Sequence, residues 1–115
     1  MQDPNCLFCR IVRKEIPARE VFRDDHVVAF HDVNPQAPVH VLVVPVEHAA
    51  HLSDFTANAA DEVGARILRT ASRIGNELGR NGYRVVMNEG PDAGQTVNHL
   101  HAHVLAGRFL SWPPG

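Results

Sequence analysis

Three histidines at alternating positions, in the run His99-Leu100-His101-Ala102-His103, constrain this chain more than any other feature. In an extended strand every second side chain points to the same face, so the three imidazoles line one side. Leu100, Ala102, Val104 and Ala106 then form an apolar stripe on the other. Such a strand packs its back on a core and shows its front to a ligand. Geometry alone leaves two functional readings of that front: imidazoles sharing a metal ion, or an anionic phosphate site with a histidine nucleophile. A solvated polar face on an edge strand is a third reading, and the flanking residues argue against it.

A chain of 115 residues suffices for one domain with its own core, spanning residues 1–115. Its apolar share of 44%, charged share of 21% and net charge of −2 carry no polyelectrolyte signal for nucleic acid or membrane. Any nucleotide bound here is therefore held locally. The first five residues have no basic start, and the longest apolar stretch, Val41 to Val46, is far too short to span a bilayer. A cytoplasmic location is expected. Cys6 and Cys9 are too few for a disulfide framework, and their spacing suits metal or redox pairs.

Periodicity predicts five strands: Glu20 to Arg23, Val27 to Val33, Val39 to Pro45, Tyr83 to Glu89 and His99 to Gly107. Turn chemistry at Asp24-Asp25 and Asn34-Pro35-Gln36-Ala37-Pro38 separates the first three. From Thr56 to Leu78 the apolar residues Val63, Ile67, Ala71, Ile74 and Leu78 recur at helical spacing, which predicts one long amphipathic helix. Gly79 and Gly82 are expected to stop it through left-handed backbone geometry. A short helix over Cys6 to Lys14 should end before Ile16-Pro17. These elements imply an α+β fold: a five-stranded antiparallel sheet with one long helix and a short N-terminal helix. An exposed edge strand invites a second copy, so a homodimer that extends the sheet is expected.

With these elements in place, further segments carry a resemblance. Gly94-Gln95-Thr96 precedes the histidine run, Ala106-Gly107-Arg108 follows it, and the chain ends in Trp112-Pro113-Pro114-Gly115. Upstream stand Glu15-Ile16-Pro17, Ala29-Phe30-His31-Asp32, Pro35-Gln36-Ala37-Pro38-Val39-His40 and Asn88-Glu89-Gly90. Together they closely resemble the histidine triad (HIT) family and, within it, the Hint branch of histidine triad nucleotide-binding proteins.

That resemblance implies a purine nucleoside phosphoramidase, or a nucleotide hydrolase more broadly. A dinucleoside polyphosphate hydrolase, or a nucleotide-binding regulatory protein with incidental hydrolysis, are the alternatives. It implies that His101 attacks the α-phosphorus and that His103 donates a hydrogen bond to the phosphate oxygens. Thr96, where relatives commonly carry serine, would hand a proton to the leaving group. His40 would complete the polar network behind the triad. Asp32 would accept the ribose hydroxyls, with Ile16, Phe30, His31 and Val33 around the base. Asn88, Gly94, Gln95 and Thr96 would lie on the phosphate side. Cys6, Cys9, His48 and His99 resemble the Cys2His2 zinc site of many bacterial members, whose four protein ligands leave no open position and make the zinc structural. His51 is a nearby imidazole that could replace His48.

Overall fold

The computed structural model describes residues 3–115. Strands β1 (Glu20–Arg23), β2 (Val27–His31), β3 (Val39–Pro45), β4 (Tyr83–Met87) and β5 (Ala102–Ala106) form one antiparallel sheet in the order β1-β2-β3-β5-β4. Helices α1 (Leu7–Val12), α2 (Leu52–Asn58) and α3 (Asp61–Leu78) complete the α+β architecture, with one 3-10 turn at Pro91–Ala93. Placing β5 between β3 and β4 brings the end of the histidine run into the interior of the sheet, away from either edge.

Alternation along the strands sorts their side chains into two cores. Ala29, Val41, Val43 and Val104 pack with Ile67, Ala71 and Ile74 of α3. Their alternates Val28, Phe30, Leu42 and Val44 meet Phe8, Ile11 and Val12 of α1 on the opposite face. Because β2 and β3 are covered on both faces, they read as continuous apolar runs. Each fully buried aliphatic side chain contributes roughly 2 kcal/mol. The long helix is thus held by Ile67 and Ile74 more than by its intrinsic propensity. Asp61 and Glu62 in its first turn complement the helix dipole.

Several sequence boundaries move. The predicted helix from Thr56 to Leu78 is two helices, because Ala59 and Ala60 adopt extended backbone (ψ 152° and 145°) between α2 and α3. That turn lets Phe55 fold into the α3 core. The N-terminal helix is shorter than Cys6 to Lys14, and Lys14 follows it at φ 62°. Gly82 has the expected positive φ, 122°, whereas Gly79 caps α3 at φ −113°. Close approach explains Gly79 instead: a Cβ there would stand 2.6 Å from the Ala106 Cβ of β5. β2 ends at His31 rather than Val33, and β4 at Met87 rather than Glu89.

The largest shift concerns the histidine run itself. β5 begins only at Ala102, so His99 and His101 precede the ladder and His103 alone lies within it. The alternation nevertheless holds, with Leu100, Ala102 and Val104 in the α3 core and the imidazoles on the α1 side. The C-terminal tail is tied to β4, where the Arg84 guanidinium donates to the carbonyls of Leu110 and Ser111, each at 3.1 Å. Among the described residues no helix is long and apolar enough to cross a membrane.

Candidate functional site

A cavity of about 480 Å³ opens on the α1 side of the sheet. It is lined by Ile16, Phe30, His31, Asp32, Val33, His40, Thr96, His101 and His103, all nominated from the sequence. Phe8, Ile11, Gln36, Leu42 and Val97 also line it and were not nominated. A larger cavity, about 560 Å³, lies beside Phe55 and Val63. The smaller one gathers His101 with the hydrogen-bonded pair His40 and His103.

His101 is nearly buried, at 7% exposure, and its Nδ1 stands 2.7 Å from the carbonyl oxygen of His99. A carbonyl can only accept, so Nδ1 carries the hydrogen and Nε2 keeps its lone pair. The ring is braced by Phe8, whose plane meets it at 88° with centroids 5.1 Å apart. On its other side lies the His103 ring, 4.8 Å away. His103 Nδ1 is 2.8 Å from His40 Nε2, and the main-chain N–H of Gln36 donates to His40 Nδ1 at 3.0 Å. Asp32 sits beside this pair, its Oδ2 3.4 Å from His40 Nε2 and its Oδ1 accepting from the Asn34 N–H.

Burial decides the charge of these rings. It pushes His103 down to about 4, with His101 and His40 adding to the shift and Asp32 opposing it. Burial also lowers His40, against the pull of Asp32. Both imidazoles are therefore neutral at pH 7. His40 pairs as donor at Nε2 and acceptor at Nδ1, which a doubly protonated ring could not do, because its Nδ1 accepts from the Gln36 N–H.

A second cluster adjoins the first through His99. Donor atoms of Cys6, Cys9, His48 and His99 all lie within 4.8 Å of one another. Cys6 Sγ is 3.2 Å from His99 Nδ1, Cys9 Sγ is 3.4 Å from His48 Nδ1, and the two Nδ1 atoms are 3.2 Å apart. His99 Nε2 donates to the carbonyl of Pro45 at 2.9 Å, which leaves its Nδ1 lone pair facing the thiols. Burial takes His99 down to about 4 and pushes the Cys9 thiol up to about 11. Two convergent thiols, one of them resisting ionisation, and two imidazoles, of which His99 keeps its Nδ1 lone pair, suit a metal ion, whose charge would offset the thiolates.

Three nominated residues lie outside the cavity lining. Asn88 and Gly94 do not line it, and the Gln95 amide is occupied at both ends. Its Oε1 accepts from His51 Nδ1 and from the Gly90 N–H, while its Nε2 donates to the carbonyls of Ala50 and Val97. His51 is thus bound to Gln95 and is not a replacement for His48. Glu89 has a similar local role, its carboxylate accepting from the N–H and hydroxyl of Ser53 at the start of α2. Those bonds hold its carboxyl below the ordinary range.

With this geometry in view, comparison with known proteins places residues 13–110 within the HIT domain. The chain is similar to an uncharacterized HIT-like protein of Synechococcus elongatus, 49% identical over 109 residues that cover 95% of this chain and 96% of that protein. It is 41% identical over 116 residues to a protein of Arabidopsis thaliana named adenylylsulfatase HINT1, covering 98% and 78% of the two. A HIT family hydrolase from Legionella pneumophila has the same fold, with a TM-score of 0.90 and 46% identity over 96% of this chain and 100% of that one.

The neutral His103 links folding to pH. Its unfolded form titrates near 6.5 and its folded form near 4, so the unfolded chain binds more protons between those values. Stability from this group is complete above about pH 6.5 and is lost as pH falls toward 4. Partial exposure reduces the effect to on the order of 1–2 kcal/mol. Urea midpoints measured from pH 7 to pH 4 should fall, and His103→Asn should flatten that slope. An identical slope in the variant would show that His103 does not fold as a buried neutral ring.

Proposed function

The chain belongs to the HIT family, in its Hint-like branch, and we propose that it is a purine nucleoside phosphoramidase working through a covalent nucleotidyl-histidine. Membership already makes it a HIT family hydrolase. The reading of the reaction rests on one observation: the Nδ1–H of His101 is committed to the His99 carbonyl, which leaves Nε2 as a nucleophilic lone pair in a cavity.

In this reading the His101 Nε2 lone pair attacks the α-phosphorus and the bond from phosphorus to the amine nitrogen breaks. The amine leaves with a proton, for which the Thr96 hydroxyl lining the cavity is the proposed donor. His103 donates to the phosphate oxygens as charge builds on them. Water then cleaves the phosphorus–nitrogen bond to His101 and releases the nucleoside monophosphate. Asp32 would accept the ribose hydroxyls, while Ile16, Phe30, His31 and Val33 would flank a purine. Asn88 and Gly94, with the main chain of Gln95, are proposed on the phosphate side. The Arabidopsis relative's name supports an adenylyl group on the reacting phosphorus. The alternatives, a dinucleoside polyphosphate hydrolase or a nucleotide-binding regulator, differ in leaving group and in turnover.

His101→Ala tests the mechanism directly. Hydrolysis of an adenosine phosphoramidate should fall roughly 10³-fold or more, while AMP still binds, and acid-labile nucleotide should no longer be trapped on the protein. Substantial turnover in the variant would overturn the covalent route.

Zinc is proposed at Cys6, Cys9, His48 and His99, where it would tie the N-terminal segment to the sheet. Bound there it supplies a structural crosslink. Purified protein should carry about one zinc per chain, and Cys9→Ser should lose the metal and unfold at lower temperature. Full metal content in that variant would remove Cys9 from the site.

A homodimer is proposed as well. β4 is an open sheet edge, and Val85 on it, with Leu68 and Leu78 on α3, leaves apolar side chains exposed. A second copy pairing there would cover them. Sedimentation at micromolar concentration should give a dimer, and Val85→Lys should shift it to monomer; a wild-type monomer would refute the arrangement.

A further inference from the structure

The nucleotide cavity holds a chain of two hydrogen bonds whose direction is set at one end by a group that cannot change its role. The main-chain N–H of Gln36 can only donate, and it points at His40 Nδ1 from 3.0 Å. His40 Nδ1 must therefore be bare and its hydrogen must sit on Nε2. That hydrogen lies 2.8 Å from His103 Nδ1, which must accept it. A neutral His103 then carries its own hydrogen on Nε2.

We propose that Gln36 is a positioning residue whose main-chain N–H, held in place by Arg108, makes His103 a donor at Nε2. The proposal rests on the reading of His101 as nucleophile and His103 as phosphate donor. It adds what decides which nitrogen of His103 donates. Without the Gln36 N–H, either tautomer of His40 is open, and with Nδ1–H on His40 the bare Nε2 would face His103 and draw its hydrogen to Nδ1. The ring beside the phosphate would then present a lone pair to an anion.

The loop carrying Gln36 is fastened on several sides. Arg108 donates to the Gln36 carbonyl at 2.9 Å, and the Gln36 side-chain amide donates to the Asn34 carbonyl at 3.0 Å. At its base the Asp32 N–H donates to the His40 carbonyl at 2.9 Å. Gly107 at φ 94° allows the loop to close on β5, since a Cβ there would stand 2.7 Å from Pro38 Cβ. Asp32 competes for the same His40 hydrogen, but its Oδ2 lies at 3.4 Å against 2.8 Å for His103. The shorter bond wins while Gln36 holds the ring.

Replacing the Pro35–Gln36 amide by an ester removes this N–H and keeps every side chain. Chemical ligation can supply that chain and an all-amide control, both with ¹⁵N-labelled His40 and His103. In the control, imidazole nitrogen spectra at neutral pH should show both rings protonated on Nε2. The ester chain should show a new Nδ1–H population on His40 and a mixed His103, with kcat on an adenosine phosphoramidate lower by on the order of tenfold or more and KM little changed. Unchanged tautomers and kcat in a folded ester chain would overturn the proposal. Should the ester chain fail to fold, Arg108→Met decides: a new Nδ1–H population on His40 with lowered kcat supports the proposal, and wild-type spectra and kcat overturn it. His101→Ala separates this result from the site reading. An active His101→Ala protein rejects His101 as nucleophile whatever the tautomers, whereas an inactive one with an unaffected ester chain rejects only the role of Gln36.

Discussion

His99 is fully buried and makes three commitments at once, and the arrangement of both side-chain clusters follows from them. Its Nε2–H goes to the Pro45 carbonyl at the end of β3, its Nδ1 faces the two cysteines, and its own carbonyl receives the Nδ1–H of His101. One residue therefore orients a candidate metal ligand with its ring and the candidate nucleophile with its backbone. The bond to Pro45 fixes the ring's tautomer, and the ring's placement fixes where the carbonyl can point. A change at His99 reaches both clusters together.

Much of this was legible from residue pattern. The apolar alternation after His99 named the face that meets α3, and the helical spacing of Val63, Ile67, Ala71 and Ile74 located the helix that covers it. The grouping of Asp32, His40, His101 and His103 in one cavity, and of Cys6, Cys9, His48 and His99 in one cluster, brings together residues that the family resemblance, rather than periodicity or spacing, had named. Pattern failed where the backbone departs from regular geometry for a local reason. Two extended alanines split the long helix, and no residue there breaks the helical period. The late start of β5 was equally invisible, because alternation of side chains continues through His99 and His101 although the ladder does not.

Residues that act through the main chain or by packing were also missed. Gln36 contributes an N–H that any residue except proline could supply, so its identity carries no signal. Phe8 lies inside the Cys6-Leu7-Phe8-Cys9 motif, where the spacing of the cysteines says nothing about the aromatic between them. Its ring touches Phe30, His99 and His101, which ties the helix bearing the thiols to the imidazole that faces the cavity. An aromatic residue within a ligand motif is a signal that could have been read.

Gln95 has a mechanical consequence. Its amide joins the segment after β3, at Ala50 and His51, to the glycine-bearing loop at Gly90 and to Val97, with donors and acceptors matched at every bond. A glutamate of the same shape would have no N–H for the two carbonyls, and a leucine would leave all four half-buried partners without this bond. The amide thus works as a fastener between two stretches of chain that share no strand. A fastener transmits in both directions, so whatever stiffens the stretch around His48 also stiffens the loop around Gly94, and loosening either one frees the other.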